Sequence, residues 1–386
     1  MKKTLLNIVR FVVGILFIFS GLIKANDPLG LSYKMQEFFE VWHMPAFNEF
    51  ALALSVVMII FEIVAGVALL LGWRMDLFGW LLLLLTIFFT FLTGYAVISG
   101  KVRECGCFGN CIPLQAMGSF IKDLVLLTLI LFLFIYRKDI QPLNSKTASL
   151  IILGFGFLLS FAIQWYTLHY LPFIDCLPYK VGANVLEQMK PPPGSRPDST
   201  VINFVYEKNG KQVEYTADKL PADFDDSYKF IRRYDKVLRE GNAVPAIKDF
   251  SLTSTSGNDS TTAILERRGF KLILFSLRFP DPNPSWNKAF SLIYTLAVSK
   301  NIPVYFVTAN PEATAGFLKA NGLDSKVPMF TCDATAIKTA ARADPTLYLL
   351  KGPNIIDKWS YAAFESAMTS LNGLSAQSPE TTVSQP

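Results

Sequence analysis

Five apolar runs crowd into about the first 170 residues and constrain this chain more than any other feature: residues 5–23, 50–71, 77–98, 120–136 and 150–170. Each is close to the roughly 20 residues needed to cross a hydrocarbon layer of ~30 Å. Backbone polar groups in lipid must pair within the protein, so each run is expected to be a transmembrane helix. The first run has the outline of a signal peptide, with Met1, Lys2 and Lys3 leading an apolar stretch. Its length, the interruption by Arg10 and the lack of a small-residue cleavage pattern before Lys24 favour a helix that is retained.

Basic residues set the expected orientation, because translocation is biased against them. Lys2, Lys3, Arg10, Arg74, Arg137, Lys138 and Lys146 fall on one side of a five-span arrangement, and Lys24, Lys34, Lys101 and Arg103 on the other. The N-terminus is therefore expected in the cytoplasm. An odd number of crossings then leaves the loop near residue 105 and everything after residue 170 outside it, where disulfides persist. The net charge of +5 needs no nucleic-acid partner; the expected partner of the first part is the lipid bilayer.

Three of the five cysteines, Cys105, Cys107 and Cys111, lie within seven residues in a loop between two of the apolar runs. On a helical turn, Cys107 and Cys111 would share a face and reach disulfide distance. A Cys105–Cys107 ring would be strained and easily reduced. Gly106 and Gly109 give the backbone the freedom that thiol exchange requires. A redox dithiol stands first, a structural disulfide second and a metal centre last. With no histidine nearby to supply a fourth ligand, no metal is expected. Cys176, just after the fifth run, is a further redox partner for the cluster. Cys332 follows an apolar run and is expected as a small buried core residue.

Charges inside the apolar runs form a second set of candidates. Glu62 lies in the middle of the second run, where an ionised carboxylate must pair, protonate or face a polar cavity. Lys24, at the end of the first run, and Lys122 and Asp123, near the start of the fourth, complete the intramembrane polar set, with Lys122 able to snorkel to the interface. His43 and His169 are expected as interfacial residues.

After residue 172 the composition becomes that of a soluble chain. Pro191, Pro192, Pro193 and Gly194 mark a linker. Runs 201–206 and 211–216 flank Asn209 and Gly210, a hairpin signal, and a polar helix is expected over 225–240. Strands over 272–275, 304–307 and 346–350, with helices over 285–299 and 314–321, give a layered α/β domain. The expected division is 1–172 membrane helices, 173–241 linker with a small β element, 242–372 α/β domain and 373–386 disordered tail.

Phe19 to Pro28, then Tyr33 to Phe38, and Glu62 followed by Gly66 and Gly72, resemble the DoxX family of small bacterial membrane proteins. Cys105, Gly106, Cys107, Phe108 and Gly109 resemble the outer loop of its relative MauE. These resemblances imply a four-helix bundle in a bacterial inner membrane, similar in outline to vitamin K epoxide reductase, here with a fifth helix added. They also imply quinone-coupled or disulfide-forming chemistry on an envelope protein partner. Ile247 to Leu252, Cys332 to Thr335, and Arg342 to Pro345 ahead of a strand resemble a thioredoxin-like domain. Pro345 stands at that family's cis-proline, and with Asp344 marks the expected partner-binding groove. Where that family carries Cys-x-x-Cys, residues 277–285 contain no cysteine. Two functions are therefore expected: a thiol/disulfide redox component that passes electrons to a quinone, or a non-enzymatic scaffold stapled by one disulfide.

Overall fold

The computed structural model describes residues 2–378 apart from 103–105, 107, 108, 110, 113, 217, 218, 222, 223, 240, 278–284, 324 and 325. Its first part holds α1 (Lys2–Ala25), α2 (Pro28–Val41), α3 (Ala51–Leu71), α4 (Met75–Ser99), α5 (Ala116–Ile135) and α6 (Lys146–His169). Five of its helices are long and apolar enough to cross a membrane, matching the five runs. The short α2 went unmarked in the sequence because its hydrophobic pattern is weak. It forms because Asp27 caps it, accepting from Gly30 N at 2.9 Å, with Pro28 in the first turn.

Helices α1 and α3 pack almost backbone to backbone. A Cβ on Gly66 would lie 2.8 Å from Gly14 O, and one on Gly21 would lie 2.5 Å from Ile63 Cγ1. Without a hydrophobic drive between helices in lipid, such close van der Waals approach is what holds them. Arg10, which interrupts the first run, closes the C-terminal end of α3: its Nε donates to Leu69 O at 2.8 Å and its Nη2 to Leu70 O at 2.5 Å. The guanidinium thereby adds donors to the carbonyls of the last turn of α3, which lack a full set of helical partners. Leu5, Ile8, Val12 and Ile15, by contrast, point outward from α1, as lipid-facing side chains do.

The second part contains α7 (Val185–Gln188), β1 (Ser199–Lys208), β2 (Lys211–Thr216), β3 (Lys229–Arg239), β4 (Thr253–Ser254), α8 (Thr261–Glu266), β5 (Phe270–Ser276), α9 (Asn287–Ser299), β6 (Val304–Thr308), α10 (Pro311–Ala320), β7 (Met329–Thr331), α11 (Ala334–Ala340), β8 (Thr346–Lys351), β9 (Asn354–Ser360) and α12 (Phe364–Asn372). One sheet is antiparallel with order β2-β1-β3; the other has six strands in the order β4-β7-β6-β5-β8-β9. In the larger sheet β5, β6 and β7 run parallel, while β8 and β9 are antiparallel to their neighbours. Alternation along β5 separates two cores: Ile273 and Phe275 join Phe250, Ile337 and Tyr348 on one face, and Leu272 and Leu274 join Phe290, Phe317 and Phe364 on the other.

Three expectations are corrected. The polar helix over 225–240 is strand β3, because Phe230, Tyr234 and Val237 suit an extended edge and pair with β1. The segment assigned to a linker from 173 begins inside the α/β core: Leu177, Tyr179 and Val185 are buried, and Gly182 N and Ala183 O bond Ile355 at 2.8 and 2.9 Å. The tail assigned as disordered from 373 is fastened at Gln377, whose side chain donates to Phe270 O at 2.9 Å and accepts from Phe270 N at 2.6 Å. Residues 379–386 lie outside the described residues. The Asn209–Gly210 hairpin is present, with both residues at positive φ (53° and 74°).

Candidate functional site

The four intramembrane polar candidates come together. Lys24 on α1 donates from Nζ to Glu62 Oε1 on α3 at 2.5 Å and to Ser20 Oγ at 3.1 Å. The side chains of Lys24 and Glu62 are only 3% and 4% exposed, so neither charge is solvated and each depends on the other. One turn of backbone cannot make this pair. It needs the glycine-mediated closeness of α1 and α3. On α5, Asp123 is buried and accepts from Lys122 Nζ at 2.5 Å and from Thr93 Oγ1 of α4 at 3.0 Å.

Both pairs border one cavity of about 240 Å³, walled otherwise by Leu16, Phe17, Phe89, Val125 and Leu126. Glu62 Oε2 has no hydrogen-bond partner among the described residues although it is buried. A second cavity of about 310 Å³ adjoins it, sharing Lys24 and Phe89. Its walls are aromatic and sulfur-bearing, with Phe38, Phe39, Trp42, Phe47, Phe88 and Met58 around Lys24 and Lys34. Such a chamber suits a flat apolar ring system; Lys34 Nζ is paired with Glu37 Oε2 at 2.9 Å, and each ammonium has further donor capacity beyond its present partners.

Gly106 of the cysteine loop lies against this larger cavity, and a Cβ on Gly106 would meet Lys34 Cγ at 3.1 Å. Gly106 and Gly109 both take positive φ (66° and 58°), closing a turn through Gly109 N and Gly106 O at 3.0 Å. Cys105 and Cys107 lie outside the described residues, and with them any metal centre in the loop; among the described residues no cluster of His, Cys, Asp and Glu could hold a metal ion. Cys111 is bonded to Cys176, with Cα atoms 4.8 Å apart. Of the pairings weighed from spacing, Cys107–Cys111 is thus not the one formed. Sequence proximity favoured it, whereas the return of the chain after α6 brings Cys176 to the same end of the bundle.

The α/β domain is docked on that end. Arg342, almost fully buried, places its Nε between the two oxygens of the Asp27 carboxylate, 2.9 Å from Oδ1 and 3.0 Å from Oδ2. Tyr33 of α2 has Lys338 Nζ 5.2 Å and Arg342 Cζ 5.4 Å from its ring centre. Asn26 exchanges two hydrogen bonds with the Ile174 backbone at 2.8 and 3.0 Å. The Asp344–Pro345 bond is cis. Pro345 itself is buried, while Asp344 is exposed and accepts through Oδ1 from Ser276 Oγ at 2.7 Å and Leu277 N at 3.1 Å. The stretch that would correspond to Cys-x-x-Cys falls largely within 278–284, outside the described residues.

Cys332 is buried in the core of the α/β domain. Burial pushes its thiol up to about 11. In the native protein, alkylation by iodoacetamide is expected to be slow at pH 8 and to accelerate as the pH rises toward 11. Unfolding should restore reaction at the pH of an ordinary cysteine, ~8.5. Mass spectrometry of the Cys332 peptide checks this, and rapid native labelling at pH 7 would show the site to be open. His43 ends α2 at φ 56°, and His169 Nδ1 lies 2.8 Å from Trp165 O at the end of α6, so both His residues sit at helix termini.

Sequence reasoning found Lys24, Glu62, Lys122 and Asp123 as separate anomalies and missed Thr93 as the partner of Asp123, and Tyr33 and Arg342 in the contact between the α/β domain and the bundle. Hydroxyls and aromatics are ordinary within apolar helices, so only their placement reveals them.

The fold and site define a multi-pass membrane protein: a helical bundle with charged and aromatic cavities, followed by an α/β domain. The family described as methylamine utilisation protein MauE matches residues 2–136, which makes the first four membrane-capable helices and the cysteine loop MauE-like. A domain of unknown function matches residues 200–240, the three-stranded sheet. No curated protein matches the chain.

Proposed function

We propose that the protein is a membrane-embedded thiol/disulfide redox component linked to a quinone. In this reading it lies in a bacterial inner membrane with its N-terminus cytoplasmic and its α/β domain in the envelope, acting on an envelope protein. The observation that carries the reading is the position of Gly106, between Cys105 and Cys107, in the wall of the aromatic 310 Å³ cavity. The donor set fits a quinone: aromatic walls for its ring and Lys24 and Lys34 for its oxygens. Bound there, the quinone would supply an acceptor for two electrons and two protons.

The residues of the chain divide the remaining work. Cys105 and Cys107 give up two electrons and two protons as they form a disulfide. The Cys111–Cys176 bridge keeps the loop at the cavity. The strand order of the large sheet supports a thioredoxin-like reading of the α/β domain. With no cysteine over 277–285 it holds a partner rather than oxidising one. The MauE-like match supports the membrane part of this assignment.

The test is cysteine redox mapping of purified protein in detergent. Reduced Cys105 and Cys107 are expected to become a disulfide on addition of a short-chain benzoquinone, with one quinol formed per pair. An unchanged thiol count with the quinone present would end the redox reading. One specific observation favours the scaffold reading instead: Cys111–Cys176 joins two segments 65 residues apart, as a structural staple does. On that reading, serine at Cys105 and Cys107 leaves function intact at matched expression.

A further inference from the structure

The smaller cavity is not needed to hold a ring, yet the buried Lys24–Glu62 pair, the half-buried Lys122–Asp123 pair and an unpartnered carboxylate oxygen face it. We infer that it is the proton-supplying chamber of the aromatic cavity, with Lys24 as the residue that gives a proton to the ligand's oxygen and Glu62 as the group that restores it. The inference rests on the quinone reading above and adds to it the route and residues for protons.

Lys24 lines both cavities. Its ammonium is held from behind by Glu62 Oε1 at 2.5 Å and Ser20 Oγ at 3.1 Å, leaving one of its three donors free of those two partners. A second polar link crosses the same wall, where Thr93, which lines the aromatic cavity, donates to Asp123 of the smaller one at 3.0 Å. The charged groups around Lys24 are Glu62 from α3, Lys122 and Asp123 from α5 and Lys34 from α2; α4 contributes Thr86, Thr93 and Phe89. Glu62 Oε2 is buried, carries no hydrogen bond among the described residues, and belongs to a side chain that lines only the smaller cavity. An acceptor in that condition is costly unless a proton or water reaches it.

The step balances with a quinone as oxidant. Two thiols lose two electrons and two protons as their S–S bond forms. Lys24 delivers one proton to the oxygen it faces. Glu62 takes up a replacement at Oε2 from the smaller cavity and returns it to Lys24. The second proton added to the ligand comes from the thiols, and their other proton leaves to water. Glu62 is a positioning residue in this scheme, since it acts through Lys24.

Two substitutions separate proton delivery from binding. Glu62→Gln keeps a hydrogen-bonding side chain beside Lys24 but cannot take up the proton, and Lys24→Arg keeps the charge and donors but does not release a proton. Binding of a short-chain benzoquinone is read from quenching of tryptophan fluorescence, with Trp42 in the cavity wall. Both variants are expected to bind it within a few-fold of the unsubstituted protein. Both are expected to reoxidise the thiols about 100-fold more slowly, the scale of a lost proton donor, and with a flattened pH profile. Either variant reacting at full speed with an unaltered pH profile overturns the inference and leaves the redox reading standing. An unsubstituted protein that never reacts with the quinone overturns both. Should neither variant accumulate, the unsubstituted protein decides the matter in D₂O: slower reoxidation than in H₂O supports the relay, and equal rates overturn it.

Discussion

Lys24→Met is expected to cost the bundle roughly 3–5 kcal/mol, the usual penalty for stripping one partner from a buried ion pair. The side chains of Lys24 and Glu62 are 3% and 4% exposed, so the substitution strands a buried carboxylate without its counter-ion. The paired substitution Lys24→Met with Glu62→Leu removes both charges and should regain most of the loss, because an apolar pair of similar volume packs without desolvation. Thermal or denaturant unfolding in detergent measures both. A single variant as stable as the unsubstituted protein would mean that the pair contributes nothing to the α1–α3 contact.

The second large effect is expected on opening Cys111–Cys176. The two cysteines are 65 residues apart, and in the chain-entropy account a closed loop of that size is worth about 4 kcal/mol. Serine at both positions should therefore lower stability by up to that amount. It should also make stability indifferent to reductant, whereas the unsubstituted protein loses the same amount when reduced. The two arms must agree: a reductant effect that persists in the double serine variant assigns the sensitivity to Cys105 and Cys107. The same comparison discriminates between the two functional readings, since a staple affects stability and a cycling pair affects turnover.

The parts of this molecule that the sequence made legible are those governed by one dominant force. Lipid demands long unbroken helices, so the five spans were readable from hydrophobicity alone, and Asn209–Gly210 announced its hairpin through backbone conformation. Strand β3 was not, because its charges suit a solvated helix as well as an exposed edge, and only pairing with β1 decides between them. Tyr179 and Val185 lay hidden in an apparent linker, since one or two apolar residues give no periodicity. The candidate site divides along the same line. Glu62 and Asp123 stood out because a carboxylate in hydrocarbon is expensive. Their pairing with Lys24, Lys122 and Thr93 depends on how helices rotate against one another, and cavities have no sequence signature at all.

The contacts of Arg342 with Asp27 and of Asn26 with Ile174, together with the Cys111–Cys176 bond, fasten the α/β domain and the segment leading into it to one end of the bundle. A module held this way is a rigid platform, not a swinging arm. Melting of either half should drag the other with it in a single cooperative transition.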